Sequence, residues 1–295
     1  MAWRQSNLDG KVKSATNGTL YLGGRQIDAD EVQAIAEALQ VNQTLKELSL
    51  YHNQIGDVGA LAIAQALSVN KKLTTLNLGD NQIGSAGAQA LSQAISTLAR
   101  LYLHENQIDN DGALAIANAL KVSNSLTFLN LHQNQIGNAG AQALAEALSV
   151  NKALTDIHLS GNQIGDDGAR AIGEALKVNK ALAVLGLGSN QIGDAGAQAI
   201  GEANPKLIVL SLRQNKIGDA GAHALGRALQ ASKTLTGLIL EENFIGVAGA
   251  LALAEAIKVT KTLTRLVLIS NPVGDVGAQA IDEARKVNKS LTVLL

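Results

Sequence analysis

Residues Glu47-Leu48-Ser49-Leu50-Tyr51 alternate apolar and variable positions, the pattern of a short strand with one buried face. From Asp57 to Leu67 the period becomes helical, and Ala60, Ile63, Ala64 and Leu67 fall on one side. Between the two halves stands Asn53-Gln54-Ile55-Gly56. The unit L-x-x-L-x-L-x-x-N-x-I-G, with the helix after it, then returns along the chain. Its asparagines are Asn53, Asn81, Asn106, Asn134, Asn162, Asn190, Asn215, Asn243 and Asn271, spaced by 28 residues except for two steps of 25. A unit of this kind cannot bury its apolar face alone. Successive units are therefore expected to stack, with strands in parallel along one side and helices along the other.

The first unit is degenerate: Leu20-Tyr21-Leu22 is followed by Arg25 where the asparagine belongs. An asparagine there would have no preceding neighbour to bond. Residues 1–18 precede this unit and carry the single tryptophan, Trp3, expected to cover the open face of the first repeat. Both short steps, through ISTLARL and EANPKLIVL with Pro205, are expected to lose residues from the return between helix and strand. The column at the helix starts reads Ala29, Asp57, Ser85, Asn110, Asn138, Asp166, Asp194, Asp219, Val247 and Asp275. Asp, Asn and Ser accept the free N–H groups of a first turn, so each is expected to cap its own helix and Val247 to mark a weak start. Lysines at the other helix end, among them Lys71, Lys152, Lys180, Lys233, Lys261 and Lys289, complement the helix dipole. The chain stops at Leu291–Leu295, inside an expected strand, with no polar capping unit.

Composition narrows the function classes. Apolar residues make up 46% of the chain and aromatics only 2%, so leucine, isoleucine and alanine must fill the core. A formal charge of −1 with 17% charged residues argues against nucleic acid or an anionic membrane as partner. No cysteine is present, which excludes disulfide caps, thiol catalysis and cysteine metal sites. The N-terminus lacks the apolar core of a signal peptide, and no uncharged run is long enough to span a membrane. An intracellular, soluble protein is expected.

The unit LxxLxLxxNxIGDxGAxALAEALxVNxxL resembles the ribonuclease-inhibitor-like subfamily of leucine-rich repeats over residues 19–295, with 1–18 as a capping segment. The resemblance implies an α/β horseshoe solenoid of about ten repeats, with parallel strands on its concave face and α-helices on its convex face. It implies a non-enzymatic module that binds another protein on the concave face. The alanine-rich repeat style is similar to effectors that intracellular bacteria deliver without a conventional signal peptide into the host cytoplasm, where the partner would be a host protein. The same class includes a GTPase-activating protein and immune sensor domains, so a regulator of a small GTPase or a structural sensor repeat is the alternative.

If Leu48 and Leu50 point inward, Glu47, Ser49 and Tyr51 point to the concave surface, with His52 just beyond. The same offsets place all three tyrosines, four of the five histidines and Phe128 on that side. Such residues supply contact area with a polar handle. Tyr51, His52, Tyr102, His104, Phe128, His132 and His158 form the candidate partner-binding patch. Toward the C-terminus the same columns turn apolar, and Ile239, Val267 and Ile269 form a second candidate patch, with weak self-association through the uncapped end as its consequence. His104, His132, His158 and Asp156 could ligate zinc only by converging from a flat surface, so no metal and no cofactor is expected. No phosphate loop or nucleophile–base pair suggests an enzyme. The asparagine ladder is read as structural: each side-chain amide can pair with backbone groups left free where a strand turns. Asn134→Ala should therefore cost about 1–3 kcal/mol in urea denaturation, the penalty of unpaired buried groups.

Overall fold

The computed structural model describes residues 2–15, 18–203 and 206–295, with side chains from residue 7 onward. The seat of Trp3 and the effect of Pro205 lie outside the described residues. Two compact units divide the chain, residues 1–136 and 137–295. The first contains α1 (Ala2–Lys13), β1 (Thr19–Tyr21), α2 (Ala29–Val41), β2 (Glu47–Ser49), α3 (Gly56–Val69), β3 (Thr75–Asn77), α4 (Ser85–Ser92), β4 (Arg100–Tyr102), α5 (Asn110–Leu120) and β5 (Phe128–Asn130). The second contains α6 (Asn138–Val150), β6 (Asp156–His158), α7 (Asp166–Val178), β7 (Val184–Gly186), α8 (Asp194–Glu202), β8 (Val209–Ser211), α9 (Asp219–Ala231), β9 (Gly237–Ile239), α10 (Val247–Val259), β10 (Arg265–Val267), α11 (Gly274–Val287) and β11 (Thr292–Leu294).

Within each unit neighbouring strands pair in parallel and in sequence order, column to column: Leu48 lies beside Leu76, and Leu76 beside Leu101. The central residue of each of these strands is buried and its flanks are wholly or partly exposed. Leu48, Leu50, Ile55, Ala60, Ile63 and Leu67 are fully buried, so one repeat closes its core between strand and helix. Segment α1 packs on α2, burying Leu8 and Val12, and the Asn42 amide donates to the Val12 carbonyl at 2.7 Å. The two short steps are absorbed differently from expectation. Helices α4 and α8 have 8 and 9 residues against 13 in α6 and α7, so the last helical turn is lost along with the return.

Ladder asparagines tie neighbouring repeats within each unit. The Nδ2 of Asn106 donates to Leu103 O in its own turn at 3.1 Å and to Leu78 O of the preceding repeat at 3.0 Å. Its Oδ1 accepts from the N–H groups of Asn81 and Ile83 at 3.1 and 2.9 Å. Asn190, Asn215, Asn243 and Asn271 repeat the scheme toward Ile164, Ile192, Ile217 and Ile245. A second ladder, which the sequence pattern did not expose as such, runs through the helix C-termini. Asn70 donates to Leu39 O and Asn42 O at 2.7 and 2.8 Å and accepts from Lys72 N and Leu73 N at 2.8 and 3.0 Å. Asn179 does the same in the second compact unit. Lysines finish these ends: Lys71 Nζ donates to Leu67 O at 3.1 Å and Lys180 Nζ to Lys177 O at 2.7 Å.

The helix starts correct the sequence reading. The expected capping residues sit inside their helices, and most N-caps are glycines, among them Gly84, Gly165, Gly193, Gly218 and Gly246, whereas Asp28 and Asp109 cap α2 and α5. Asp57, Ser85, Asn138, Asp166, Asp194 and Asp219 serve the helix of the following repeat instead. Asp166 Oδ1 accepts from Gly193 N and Gly196 N at 2.7 and 2.9 Å, and Asp194 and Asp219 treat the next glycine pairs alike. Glycine is required at the third helical position because a Cβ at Gly196 would lie 2.7 Å from Asp166 Oδ1. Helix α10 is thus capped by Asp219, and the defect of Val247 appears one repeat later, in α11. Helix α11 begins after Val273 in helical geometry, with Gly274 at φ +62° and no side-chain cap. Helix α3, which follows Ala29, shows the same start: Ile55 is helical, Gly56 has φ +58°, and the Asn81 Oδ1 beside it is buried without a partner. Two helices with no donor repeat of the right kind fail in the same way. Asp194→Ala should cost about 1 kcal/mol and act on α9, whereas Val247→Asp should recover a similar amount. Urea melts with amide exchange in α9 and α11 check both.

Candidate functional site

Positions one and three of these strands, and the second residue after each, face away from the helices. Four of the expected patch residues are brought into one run of rings in the first unit. Tyr51 and His104 stack with centroids 5.4 Å apart and an interplanar angle of 19°. His104 meets Tyr102 edge-on at 6.3 Å, and Tyr102 lies against Phe128 at 4.7 Å. The stack spans two repeats because Gly79 lies between Tyr51 and His104 in the column; a Cβ at Gly79 would collide with the imidazole. Adjacent strands are about 5 Å apart, so rings two strands apart can touch only by leaning over an empty position.

Arg100 belongs to this cluster, although the sequence pattern did not single it out. Its guanidinium sits 4.3 Å above the Phe128 centroid, and its Nε and Nη2 donate to the Tyr102 hydroxyl at 3.1 and 2.8 Å. These contacts fix a long side chain that would otherwise sample many rotamers. His52 lies 6.0 Å from Tyr51, ring to ring, and its Nδ1 pairs with the Asp80 carboxylate.

One column entered the sequence reading only at His52. The residue before each ladder position has φ between +51° and +68°: Gly24, His52, Asp80, Glu105 and Gln133 in the first unit, and Gly161, Ser189, Gln214, Glu242 and Ser270 in the second. Left-handed backbone of this kind is strained for any side chain but glycine. It is held by the ladder, where Asp80 N donates to His104 O and Glu105 N to His132 O at 2.9 and 2.8 Å. The turn aims these side chains along the rim of the strand face.

Electrostatics follow from this placement. The Glu105 carboxylate, then partial burial, then Asp80 hold the Tyr51 phenol above its ordinary value of 10.0. Burial lowers the His104 imidazole below 6.5, opposed by Glu105 and Asp80 and reinforced by His132. The Nδ1 of His104 is buried and has no hydrogen-bond partner.

The other expected residues are placed as follows. His132 follows β5 and interacts electrostatically with His104. His158 belongs to the second unit, where its Nδ1 would lie 3.2 Å from a Cβ at Gly186. Among the described residues no group of three His, Asp or Glu side chains could hold a metal. The second expected patch is not an open apolar surface: Val267 is buried at 3% exposure, and Ile239 and Ile269 are only partly exposed. Polar groups occupy its neighbourhood, since Arg213 of the adjoining column pairs with Glu241 at 3.3 Å and with Glu242. No helix is long and apolar enough to cross a membrane among the described residues.

Comparison with known proteins agrees with the repeat. A model of two leucine-rich-repeat copies matches residues 43–93, and a single leucine-rich-repeat model matches 95–117, 122–145, 150–173, 178–201, 203–226 and 261–281. No curated protein matches significantly. Solved structures similar to the chain include leiomodin-1 actin-binding site 2, at 23% identity over 61% of this chain and 88% of that one, with a TM-score of 0.39. Another is an internalin (inlF) from Listeria monocytogenes, at 17% identity over 99% of this chain and 92% of that one, with a TM-score of 0.41.

The depressed His104 gives a pH test. Its folded value lies below its unfolded one, so the unfolded chain takes up the proton first as pH falls. The stability it contributes is complete above the ordinary histidine range and is lost on acidification. Wild type should lose more stability than His104→Phe between about pH 7.5 and 5.5, read as the difference in urea midpoints. Equal losses would contradict the assignment.

Proposed function

Because the chain belongs to the leucine-rich-repeat proteins, we propose that it is a non-enzymatic protein-binding module whose partner docks on the strand face of the first unit. One observation carries the reading: the unbroken contact run Arg100–Phe128–Tyr102–His104–Tyr51, set on a sheet whose other exposed positions are mostly small or polar. Arginine and tyrosine dominate the energetics of interfaces, and rings already packed on one another lose little freedom when a partner arrives. Ribonuclease-inhibitor-like membership is supported by the 28-residue period and by full helices of 13 or 14 residues after most strands. The further reading, an effector that acts on a host protein inside the host cell, rests on the alanine-rich repeats such as Gly137–Lys152.

Capture from host-cell lysate by the full chain tests the site. Tyr102→Ala and Arg100→Ala should each weaken recovery of the principal bound protein at least about fivefold, the effect of losing a hot-spot residue. Glu255→Ala on α10 should not. Recovery unaffected by both strand-face changes would remove the first unit's face from consideration. Accelerated GTP hydrolysis by a small GTPase in the presence of the chain would favour a GTPase regulator instead.

A further inference from the structure

The rim beside Tyr51 holds negative charge that the protein does not neutralise. Asp80 and Glu105 occupy neighbouring rungs, as their backbone bonds to His104 and His132 show. Asp80 is matched by His52. Glu105 is exposed and makes no ion pair among the described residues, and neither does Glu47 on the same face. The only cation fixed on the exposed strand positions of this unit, Arg100, is committed to Tyr102 and Phe128 at the opposite end of β4. Arg100 and Glu105 are five residues apart along an extended backbone, about 16 Å. On β4 the Arg100 end is thus satisfied, and the Glu105 end carries an open carboxylate. Beside the open end lie Tyr51, whose phenol feels both carboxylates, and the His104 ring stacked on it.

Resting on the strand-face reading, we propose that the Tyr51–Asp80–Glu105 corner receives a cationic side chain, an arginine or lysine of the partner protein. The open Glu105 carboxylate supplies the counter-charge and the Tyr51–His104 stack the flat apolar surface on which a guanidinium or an alkyl-ammonium stem lies. The partner segment then runs along the strand direction with its basic residue at the Glu105 rim. Charge complementarity selects this occupant: an acidic segment would meet two carboxylates at close range.

The probes are N-acetyl-arginine amide and N-acetyl-glutamate amide, each titrated into the full chain while the Tyr51 and His104 ring signals are followed by NMR. The arginine probe should shift both rings saturably, and the glutamate probe should not. Glu105→Gln should weaken the arginine response about fivefold, the loss of one charge pair beside an aromatic surface. Gln133 and Gln214 occupy the same backbone position in other repeats, so this change keeps the fold. Asp156→Asn, in the second unit, should leave the response unchanged. Equal shifts with both probes, no shift with arginine, or a response that survives Glu105→Gln would overturn the proposal. If the arginine probe fails while Tyr102→Ala still abolishes protein capture, the strand face remains the docking surface and only the cationic occupant falls.

Discussion

Most strands in this protein end in a turn that leaves backbone groups inside the molecule, and those groups are bonded by the side chain of a neighbouring repeat. Asn106 accepts from the N–H groups of Asn81 and Ile83 while donating to its own turn. Asn70 does equivalent work at the helix C-termini, and Asp166 at the helix starts. Three columns of polar side chains thus fasten each repeat to its neighbour. Since an unpaired buried polar group costs about 1–3 kcal/mol, no repeat of this kind is complete without its neighbour. Cohesion here is a property of pairs.

This constraint also explains the shape of the exposed face. Fastening the turn at the ladder forces the preceding residue into left-handed backbone, ten times along the chain. The strain is local and is offset by bonds on both sides. Its consequence is a row of side chains thrown to the rim, including His52, Asp80 and Glu105. The inward leucines make the repeats interchangeable; the outward and rim positions carry no packing duty and are where the repeats differ. Rings, Arg100 and unmatched carboxylates gather there in the first unit.

Glycine matters in two distinct ways. At Gly196 its absent Cβ lets a cap oxygen from the previous repeat reach the helix. At Gly79 the same absence opens a space between columns into which Tyr51 and His104 lean, turning residues of separate repeats into one stacked pair. The first use is structural and recurs; the second occurs where the candidate site lies.

Much of this was legible in the residues themselves. The alternation at Glu47–Tyr51, the helical stripe of Ala60, Ile63 and Leu67, and the asparagine period determined the elements, their order and which columns are exposed, because each depends only on spacing within about 28 residues. Tertiary structure decided what depends on offsets between repeats. Asp166 looked like the cap of its own helix and serves the next one, since stacking brings its carboxylate to Gly193. Val267 stood in an exposed column and is buried. Arg100, which spacing does not single out, is held over Phe128 on the adjacent strand. A repeat period tells which residues are equivalent, but the direction in which a side chain reaches is set by the empty or filled position beside it, and only the packed structure contains that neighbour.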